Sequence, residues 1–178
     1  GLDVDSAGDL IAFWAGLHDL GKATPAFQRK HTPSETVLRE ASLSFPPAYG
    51  RASFYHGSAT ARLLPALLVS VMGTSRALAT AVARAVGGHH GSWPVPEETQ
   101  RLKRYRLGDA SWDALREELI QDLISVFDPP PLGDWPPTSE MWPEDASQAQ
   151  NAPLTLISGI TSVADWIGSM VGHFHYAD

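Results

Sequence analysis

The sequence predicts an all-α fold, a helical bundle with a proline-rich loop inserted before its last helix. Apolar residues recur at helical spacing along most of the chain, and strand-like alternation never exceeds a few residues. No internal repeat is found. With 178 residues, 43% of them hydrophobic, the chain is expected to form a single domain over residues 1–178.

In the first half of the chain, helices and loops are predicted from capping residues and from helix-breaking proline and glycine. Ser6 and Asp9 have the spacing of a capping box and predict the start of the first helix, which Gly21 is expected to end. A threonine followed by proline predicts a short helix over residues 24–27. Residues 31–55 contain three prolines and a glycine, which predicts mostly loop.

Three further helices are predicted in the second half. One covers residues 58–72 and another residues 77–86, and glycines follow both. The third follows Ser111, with an apolar side formed by Leu115, Leu119, Ile120, Leu123, Ile124 and Phe127.

The chain ends with a proline-rich loop and a final helix. Residues 128–153 hold seven of the fourteen prolines and show no apolar periodicity, which predicts a long loop. The last helix is expected to begin near Pro153. Its predicted buried stripe consists of Leu154, Ile157, Ile160, Ala164, Ile167 and Val171.

Composition excludes several classes of protein. No cysteine is present, which rules out disulfide scaffolds, thiolate-ligated metals and thiol nucleophiles. The longest apolar stretch, residues 63–72, is about half of what a membrane span needs. The first nine residues carry three acids and no basic residue, so no signal peptide is expected. We therefore expect a cytoplasmic protein without a membrane partner.

Charge restricts the ways in which the protein could handle nucleic acid. Thirteen Lys and Arg against twenty Asp and Glu give a formal net charge of −7. This balance argues against a protein that coats nucleic acid by neutralising its phosphates. It leaves open a nucleic-acid enzyme whose positive charge comes from bound metal ions.

Histidines are clustered in short polar motifs. His18 is followed directly by Asp19, His56 lies just ahead of a helix, and His89 and His90 are adjacent and flanked by glycines. Imidazole and carboxylate groups suit divalent transition metals when thiolate is absent. A carboxylate next to a histidine can also bridge two metal ions.

The string His18-Asp19-Leu20-Gly21-Lys22 resembles the first signature of the HD-superfamily metal-dependent phosphohydrolases. Its extension through Pro-Ala-Phe-Gln, residues 25–28, is similar to the HD nuclease domain of the type I CRISPR-associated helicase–nuclease. Later landmarks agree in order: His56 before a long helix, then His89-His90-Gly91. The stretch Ser-Val-Ala-Asp-Trp-Ile-Gly-Ser, residues 162–169, is similar to the closing motif of that family.

This resemblance implies a site for two divalent transition-metal ions, with manganese, iron, nickel or cobalt favoured. Two such ions about 3.5–4 Å apart hold a hydroxide in line with a phosphodiester phosphorus and stabilise the leaving oxygen. The implied ligands are His18 and Asp165 for the first ion, Asp19 bridging both ions, and His56, His89 and His90 for the second.

Lys22 follows the His-Asp pair by three residues and allows two interpretations. Its ammonium group could contact a substrate phosphate, which would give it a catalytic role beside Asp19. Alternatively, it is a cation favoured by the helix dipole near the C-terminus of the first helix.

One ligand of the family pattern is missing. That pattern has a further histidine on an upstream helix, and residues 1–17 contain none. We expect either a fragment that lacks the N-terminal helix of the family or an incomplete first metal site. In a fragment, the second site should hold metal better than the first.

No phosphate-binding ATPase loop of the form Gly-x-x-x-x-Gly-Lys-Ser/Thr is present. The resemblance therefore implies a helicase as a separate domain or subunit. The implied substrate is single-stranded DNA, displaced by a guide-RNA surveillance complex.

A basic stretch offers a candidate surface for nucleic acid. Four cations, Arg101, Lys103, Arg104 and Arg106, surround Tyr105. Basic side chains interleaved with an aromatic residue suit a groove that follows a single strand. The alternative is a solvated helix face.

The sequence thus predicts a metal-dependent nuclease that cleaves single-stranded DNA in CRISPR antiviral interference. A first alternative is an HD phosphohydrolase acting on nucleotides or small phosphate esters. A second alternative is a catalytically inactive HD module that only docks partners. An open groove with basic rims favours the nuclease, whereas a closed pocket favours the small-ester enzyme.

Overall fold

The computed structural model describes residues 2–47, 54–131, 152–170 and 172. All regular elements among these residues are helical, which confirms the all-α prediction. A 3₁₀ segment, Leu17–Lys22, follows the first helix. The helices are α1 (Val4–Gly16), α2 (Pro25–Gln28), α3 (Thr32–Glu40), α4 (His56–Met72), α5 (Arg76–Gly87), α6 (Pro96–Arg101), α7 (Arg104–Leu107), α8 (Ala110–Phe127) and α9 (Ala152–Gly168).

The main core lies where α4 packs against α5 and against the 3₁₀ segment, with α1, α8 and α9 around them. Within the described part of the chain, no helix is long and apolar enough to cross a membrane. Most of the predicted proline-rich loop, residues 132–151, falls outside the described residues. Large side chains of this core include Phe13, Trp14, Leu64, Leu68, Ile120 and Ile157.

The first helix begins and ends earlier than the sequence predicts. Asp3 caps α1, because its carboxylate accepts hydrogen bonds from both the backbone N–H and the hydroxyl of Ser6, each 2.9 Å long. The predicted capping box of Ser6 and Asp9 is therefore wrong, because Ser6 is hydrogen-bonded to Asp3, which is the N-cap residue. The helix ends at Gly16, and the chain tightens into the 3₁₀ segment instead of continuing to Gly21.

Part of the predicted loop over residues 31–55 is helical. Pro33 lies in the first turn of α3, where its missing N–H costs nothing. Glu35 pairs with Arg39 one turn later and also with Arg29. These ion pairs support a helix that buries no side chain completely.

Two helices bury narrower faces than their apolar periodicity predicts. In α8, Trp112, Arg116 and Ile120 are buried, while Leu119 of the predicted side is 39% exposed. In α9, Leu154 and Ile157 are buried as predicted. Ile160 and Ile167 are exposed because α9 contacts α5 and α1 through one side only, and Val171 lies outside the described residues.

Close backbone contacts bring the histidine-bearing elements together. A Cβ atom built on Gly21 would lie 2.0 Å from the carbonyl oxygen of His56, and one on Gly57 would lie 2.2 Å from that of Gly87. The buried hydroxyl of Thr60 reinforces the first contact, since it accepts from Gly21 N and donates to the carbonyl of His18, both at 2.8 Å. Only glycine permits these approaches.

Candidate metal centre

All six sequence-predicted ligands meet at one place in the structure. His18 and Asp19 lie in the 3₁₀ segment, and His56 is the first residue of α4. The other three come from further along the chain, since His89 and His90 follow the end of α5 and Asp165 lies on α9.

One group of potential ligands comprises His18, His89 and Asp165. Each offers one atom, and these atoms lie within 4.8 Å of one another. His18 Nε2 is 3.4 Å from Asp165 Oδ1 and 3.3 Å from Asp19 Oδ2. This group adds His89 to the two ligands that the resemblance implies for the first ion.

A second group consists of His56, His89 and His90. His56 Nε2 is 3.2 Å from His89 Nε2 and also 3.2 Å from His90 Nε2. Asp19 faces this group with its other oxygen, because Oδ1 lies 3.2 Å from His56 Nε2. Asp19 thus directs one carboxylate oxygen to each group, as a bridging ligand must.

Hydrogen bonds from the far side of two rings set their tautomers. His18 Nδ1 lies 2.7 Å from the carbonyl oxygen of Ala15, and His89 Nδ1 lies 2.7 Å from that of Val86. A carbonyl only accepts, so each Nδ1 donates, and in the neutral ring Nε2 carries a lone pair directed at the site. Metal-binding histidines are oriented in this way.

The site has too few protons for every ring nitrogen and carboxylate oxygen in it to form a hydrogen bond. His18 Nε2 and Asp19 Oδ1 are buried and form no hydrogen bond among the described residues. A single proton on His56 Nε2 cannot serve His89, His90 and Asp19 at once. Nitrogen and oxygen donors that converge without protons fit divalent transition-metal ions.

The pKa values of three residues in the site depend on burial and on the charges of their neighbours. Burial lowers the pKa of His18, but its contact with Asp19 and the charge of that carboxylate outweigh burial and raise the pKa above its usual value. Burial lowers the pKa of His89 to about 4, aided by the charges of the neighbouring histidines. Burial alone would raise the pKa of Asp19, yet His18, His56 and Lys22 hold it well below its usual range.

Lys22 lies at the edge of this cluster. Its Nζ donates to Asp19 Oδ2 over 2.6 Å, and its side chain is 39% exposed. The ammonium group therefore contacts both the Asp19 carboxylate and solvent. The helix-dipole interpretation loses its basis, because α1 ends at Gly16, six residues before Lys22. A contact of Lys22 with a substrate phosphate stays a prediction.

Sequence reasoning missed the supporting role of two residues, although one of them begins the closing motif. Thr60 joins α4 to the 3₁₀ segment, and the hydroxyl of Ser162 on α9 lies 2.5 Å from the carbonyl oxygen of His89. Ser162 thereby positions the histidine pair one helical turn from Asp165. A serine three residues before the aspartate was the available signal, but its partner is distant in sequence.

The four basic residues of the predicted nucleic-acid surface are divided between two helices. Arg101 ends α6, Lys103 precedes α7, and both are exposed. Arg104 pairs with Asp113, and Arg106 lies over the ring of Phe54. Their role in nucleic-acid binding stays a prediction.

An all-α fold that gathers an adjacent His-Asp pair, three further histidines and a helix-borne aspartate defines an HD-type domain. A family model described as "Cas3, HD domain" matches residues 1–174. The chain belongs to this Cas3 HD domain family.

Curated and solved relatives agree with this assignment. The chain is 29% identical over 177 residues to the CRISPR-associated endonuclease/helicase Cas3 of Thermus thermophilus, covering 99% of this chain and 18% of that protein. A crystal structure of a CRISPR-associated protein shares 38% identity, with a TM-score of 0.80 over 99% of this chain and 18% of the other. The chain therefore spans less than a fifth of the curated relative.

Another similar structure is the Thermus thermophilus cas3 HD domain in the presence of Ni²⁺. It shares 27% identity at a TM-score of 0.66, covering 100% of this chain and 61% of the other. A CRISPR RNA-guided surveillance complex described as pre-nicking contains a chain with 25% identity and a TM-score of 0.64, covering 94% of this chain and 18% of the other.

Proposed function

We propose that this chain is a metal-dependent nuclease domain that cleaves single-stranded DNA with two divalent ions, in CRISPR interference. The observation that carries the proposal is the convergence of ring nitrogens and carboxylate oxygens at His18, Asp19 and His56, which is the donor set that divalent cations bind. The endonuclease/helicase relative and the related HD domain in the presence of Ni²⁺ support it.

We assign the ligands as the sequence predicts, with one addition. His18 and Asp165 would hold the first ion, and His56, His89 and His90 would hold the second. Asp19 would serve both, since one of its carboxylate oxygens faces each group. His89 offers a ligand atom to both groups, so it would also be available to the first ion.

The residues of the site would orient the substrate and the water. Bound divalent ions supply Lewis-acid activation of the phosphodiester and of the attacking water. His18 and His89 are fixed by carbonyl hydrogen bonds, so their ligand atoms need no reorganisation. Lys22, which donates to Asp19, would also contact a phosphate oxygen of the substrate.

The rest of the assembly is carried over from the relatives. The helicase of the Thermus protein and the surveillance complex of the pre-nicking structure suggest partners that deliver a displaced strand to this domain. We place the assembly in the cytoplasm. These partners, the location and the single-domain boundary 1–178 stay predictions.

One observation favours an enzyme acting on small phosphate esters as the second candidate. A cavity of about 530 Å³ lies beside Asp19 and Lys22, with apolar walls from α8 and the 3₁₀ segment. A space of this size accommodates a small organic ligand such as a nucleoside. The same experiment separates this candidate from the nuclease.

The test measures metal content and cleavage on the same samples. The purified chain is stripped with a chelator, soaked in Mn²⁺, subjected to elemental analysis, and then incubated with circular single-stranded DNA or with nucleotides. We expect close to two ions per chain and cleavage of the circle. Asp19→Asn should bind fewer ions and lose about 100-fold or more of the cleavage rate, because both ions lose a ligand.

Asp9→Asn is the matched control, since Asp9 is an exposed acid on α1 that forms no ion pair among the described residues. It should retain the metal content and cleavage of the wild type. Cleavage by Asp19→Asn at the wild-type rate would contradict the two-metal scheme. Hydrolysis of nucleotides without cleavage of the circle would favour the second candidate, and metal binding without either activity would indicate a docking module.

A further inference from the structure

A second cluster of charge and aromatic rings begins at the edge of the metal centre. The ring of Phe27 on α2 meets the ring of His56 edge-on, with 5.7 Å between centroids. On the same phenyl ring, Lys30 Nζ lies 4.6 Å and Lys22 Nζ 5.9 Å from the centroid. The ammonium group of Lys30 is therefore separated from a candidate metal ligand by one aromatic ring.

Lys30 is held in place but keeps donors available. Its Nζ donates to the carbonyl oxygen of Phe54 over 3.1 Å and lies 5.9 Å from the centroid of that ring. An ammonium group has three N–H donors, so two are left for a ligand. Lys30 is an exposed residue and forms no ion pair with any acid among the described residues.

Arg106 brings a second positive charge to the same place. Its guanidinium carbon lies 5.1 Å from the centroid of Phe54, the ring that also contacts Lys30. Both cations thus lie within 6 Å of the centre of one ring, close enough to affect each other electrostatically. In agreement with this geometry, burial and the charge of Arg106 lower the pKa of Lys30. Two like charges held together on a protein of net charge −7 form a local site for an anion.

We propose that Lys30 and Arg106 form a subsite for backbone phosphate of a single-stranded polynucleotide next to the scissile bond. The proposal rests on the nuclease function proposed above and deepens it, since it assigns the strand a path from the metal centre across Phe27. Lys30 binds phosphate as a compact point charge and Arg106 as a planar donor.

The test measures binding without requiring cleavage. Fluorescence anisotropy of a labelled oligothymidylate is followed over a range of salt concentrations with the chain kept metal-free by EDTA. The double variant Lys30→Gln/Arg106→Gln should weaken binding about tenfold at low salt. The slope of log affinity against log salt should fall by about 1.4, since each single-strand phosphate contact contributes about 0.7.

Two further variants separate charge from folding. Lys30→Arg/Arg106→Lys keeps both charges and should bind within about twofold of the wild type. Arg76→Gln removes an exposed charge at the start of α5, about 17 Å along the helix from the end that leads to His89, and should change nothing. Thermal melting by circular dichroism verifies that every variant is folded.

Each outcome bears on the proposal in a definite way. Wild-type binding and slope in the double glutamine variant would overturn it, as would equal losses in the charge-preserving variant or no binding of the oligomer by the wild type. If the glutamine variant loses binding while the Mn²⁺-loaded wild type cleaves no DNA, the phosphate subsite stands and the nuclease proposal fails. If the wild type cleaves DNA while the glutamine variant binds normally, the nuclease proposal stands and the subsite fails.

Discussion

At the scale of single residues, the carboxylate of Asp19 is contacted by three side chains that carry or can carry positive charge. Its Oδ2 accepts from Lys22 over 2.6 Å and faces His18, while its buried Oδ1 faces His56. Any cation that binds between the histidines is therefore opposed by the ammonium charge of Lys22. The same ammonium is well placed to offset charge on a phosphate.

Replacing Lys22 by methionine should shift metal binding and cleavage in opposite directions. Loss of a half-exposed charge beside Asp19 should favour Mn²⁺ by about 1 kcal/mol, a Kd lowered about fivefold. Cleavage of single-stranded DNA should fall despite the tighter binding, if the ammonium contacts phosphate. Calorimetric titration with Mn²⁺ and a cleavage assay at saturating metal measure the two effects.

Lys22→Arg retains the charge and serves as the control, with metal affinity near that of the wild type. Unchanged or weaker Mn²⁺ binding by Lys22→Met would show that Lys22 does not compete for Asp19. Faster cleavage would contradict a contact between Lys22 and the substrate phosphate.

The residues that meet at the candidate site were its most predictable part. Each predicted ligand belongs to a short motif whose residue types carry the signal, so a sequence suffices to name them. The position of His89 between both ligand groups was not predictable, because it depends on how the end of α5 meets the 3₁₀ segment. The surroundings of Lys30 were not predictable for the same reason, since Phe54 and Arg106 reach it only through folding.

At the scale of elements, the site depends on how closely α4 approaches its neighbours. Gly57 on α4 and Gly87 on α5 form a crossing in which the backbones touch, one residue after His56 and two residues before His89. A side chain at this crossing would force the helices apart. Both histidines would move with them.

Gly57→Ala should therefore destabilise the fold and weaken metal binding together. Its Cβ would lie 2.2 Å from the carbonyl oxygen of Gly87, an overlap that costs about 3 kcal/mol or more. Gly159→Ala on α9 is the matched control, because nothing lies within 4 Å of its Cβ. That variant should gain about 0.5–1 kcal/mol from helix propensity.

Chemical denaturation and Mn²⁺ titration of both variants measure these effects. A Gly57→Ala protein as stable as the wild type would mean that the helix crossing tolerates a methyl group. A destabilised variant with unchanged metal affinity would show that the crossing supports the fold and leaves the ligand positions alone.

Helices and their boundaries were predictable where one sequence signal dominates. They were not predictable where two sequence signals conflict. Pro25 and the glycines after α4 and α5 fix boundaries that the structure confirms. Pro33 and the prolines after α3 concealed that helix, since proline both opens helices and breaks them. The buried side of α8 was misjudged because its central position is an arginine.

At the scale of the whole molecule, that arginine joins segments distant in sequence. The side chain of Arg116 is fully buried, and its guanidinium donates to the carbonyl oxygens of Ala23 and Leu107 at 2.7 and 2.9 Å. It also pairs with Asp113, which in turn pairs with Arg104. One buried charge thus connects α8 to the segment after Lys22 and so to the candidate metal centre. Periodicity cannot predict such a link, because a charged residue counts as exposed in the pattern.

Asp113→Asn should destabilise the molecule at neutral pH and reduce its sensitivity to acid. Arg116 would lose its ionised partner while staying buried, at a cost of about 2 kcal/mol, less than for a fully buried pair because the Asp113 side chain is 38% exposed. Burial raises the pKa of Asp113, but Arg104 and Arg116 outweigh it and hold the pKa below its usual value. The carboxylate therefore stabilises the fold above pH ~3.9, the unfolded value, and this contribution fades as the pH falls through the lower folded value.

The measurement is the free energy of unfolding by urea at pH 7 and at steps down to pH 3. The difference between the wild type and Asp113→Asn should be largest at pH 7 and shrink below pH ~4, where the carboxyl group of the wild type takes up its proton. Asp122→Asn, an exposed acid on the same helix with no ion pair among the described residues, should show no such difference. The difference in unfolding free energy between the wild type and Asp113→Asn could instead stay constant across this pH range. That result would mean that the amide loses packing or hydrogen bonds, and that the buried charge of Arg116 needs no ionised partner.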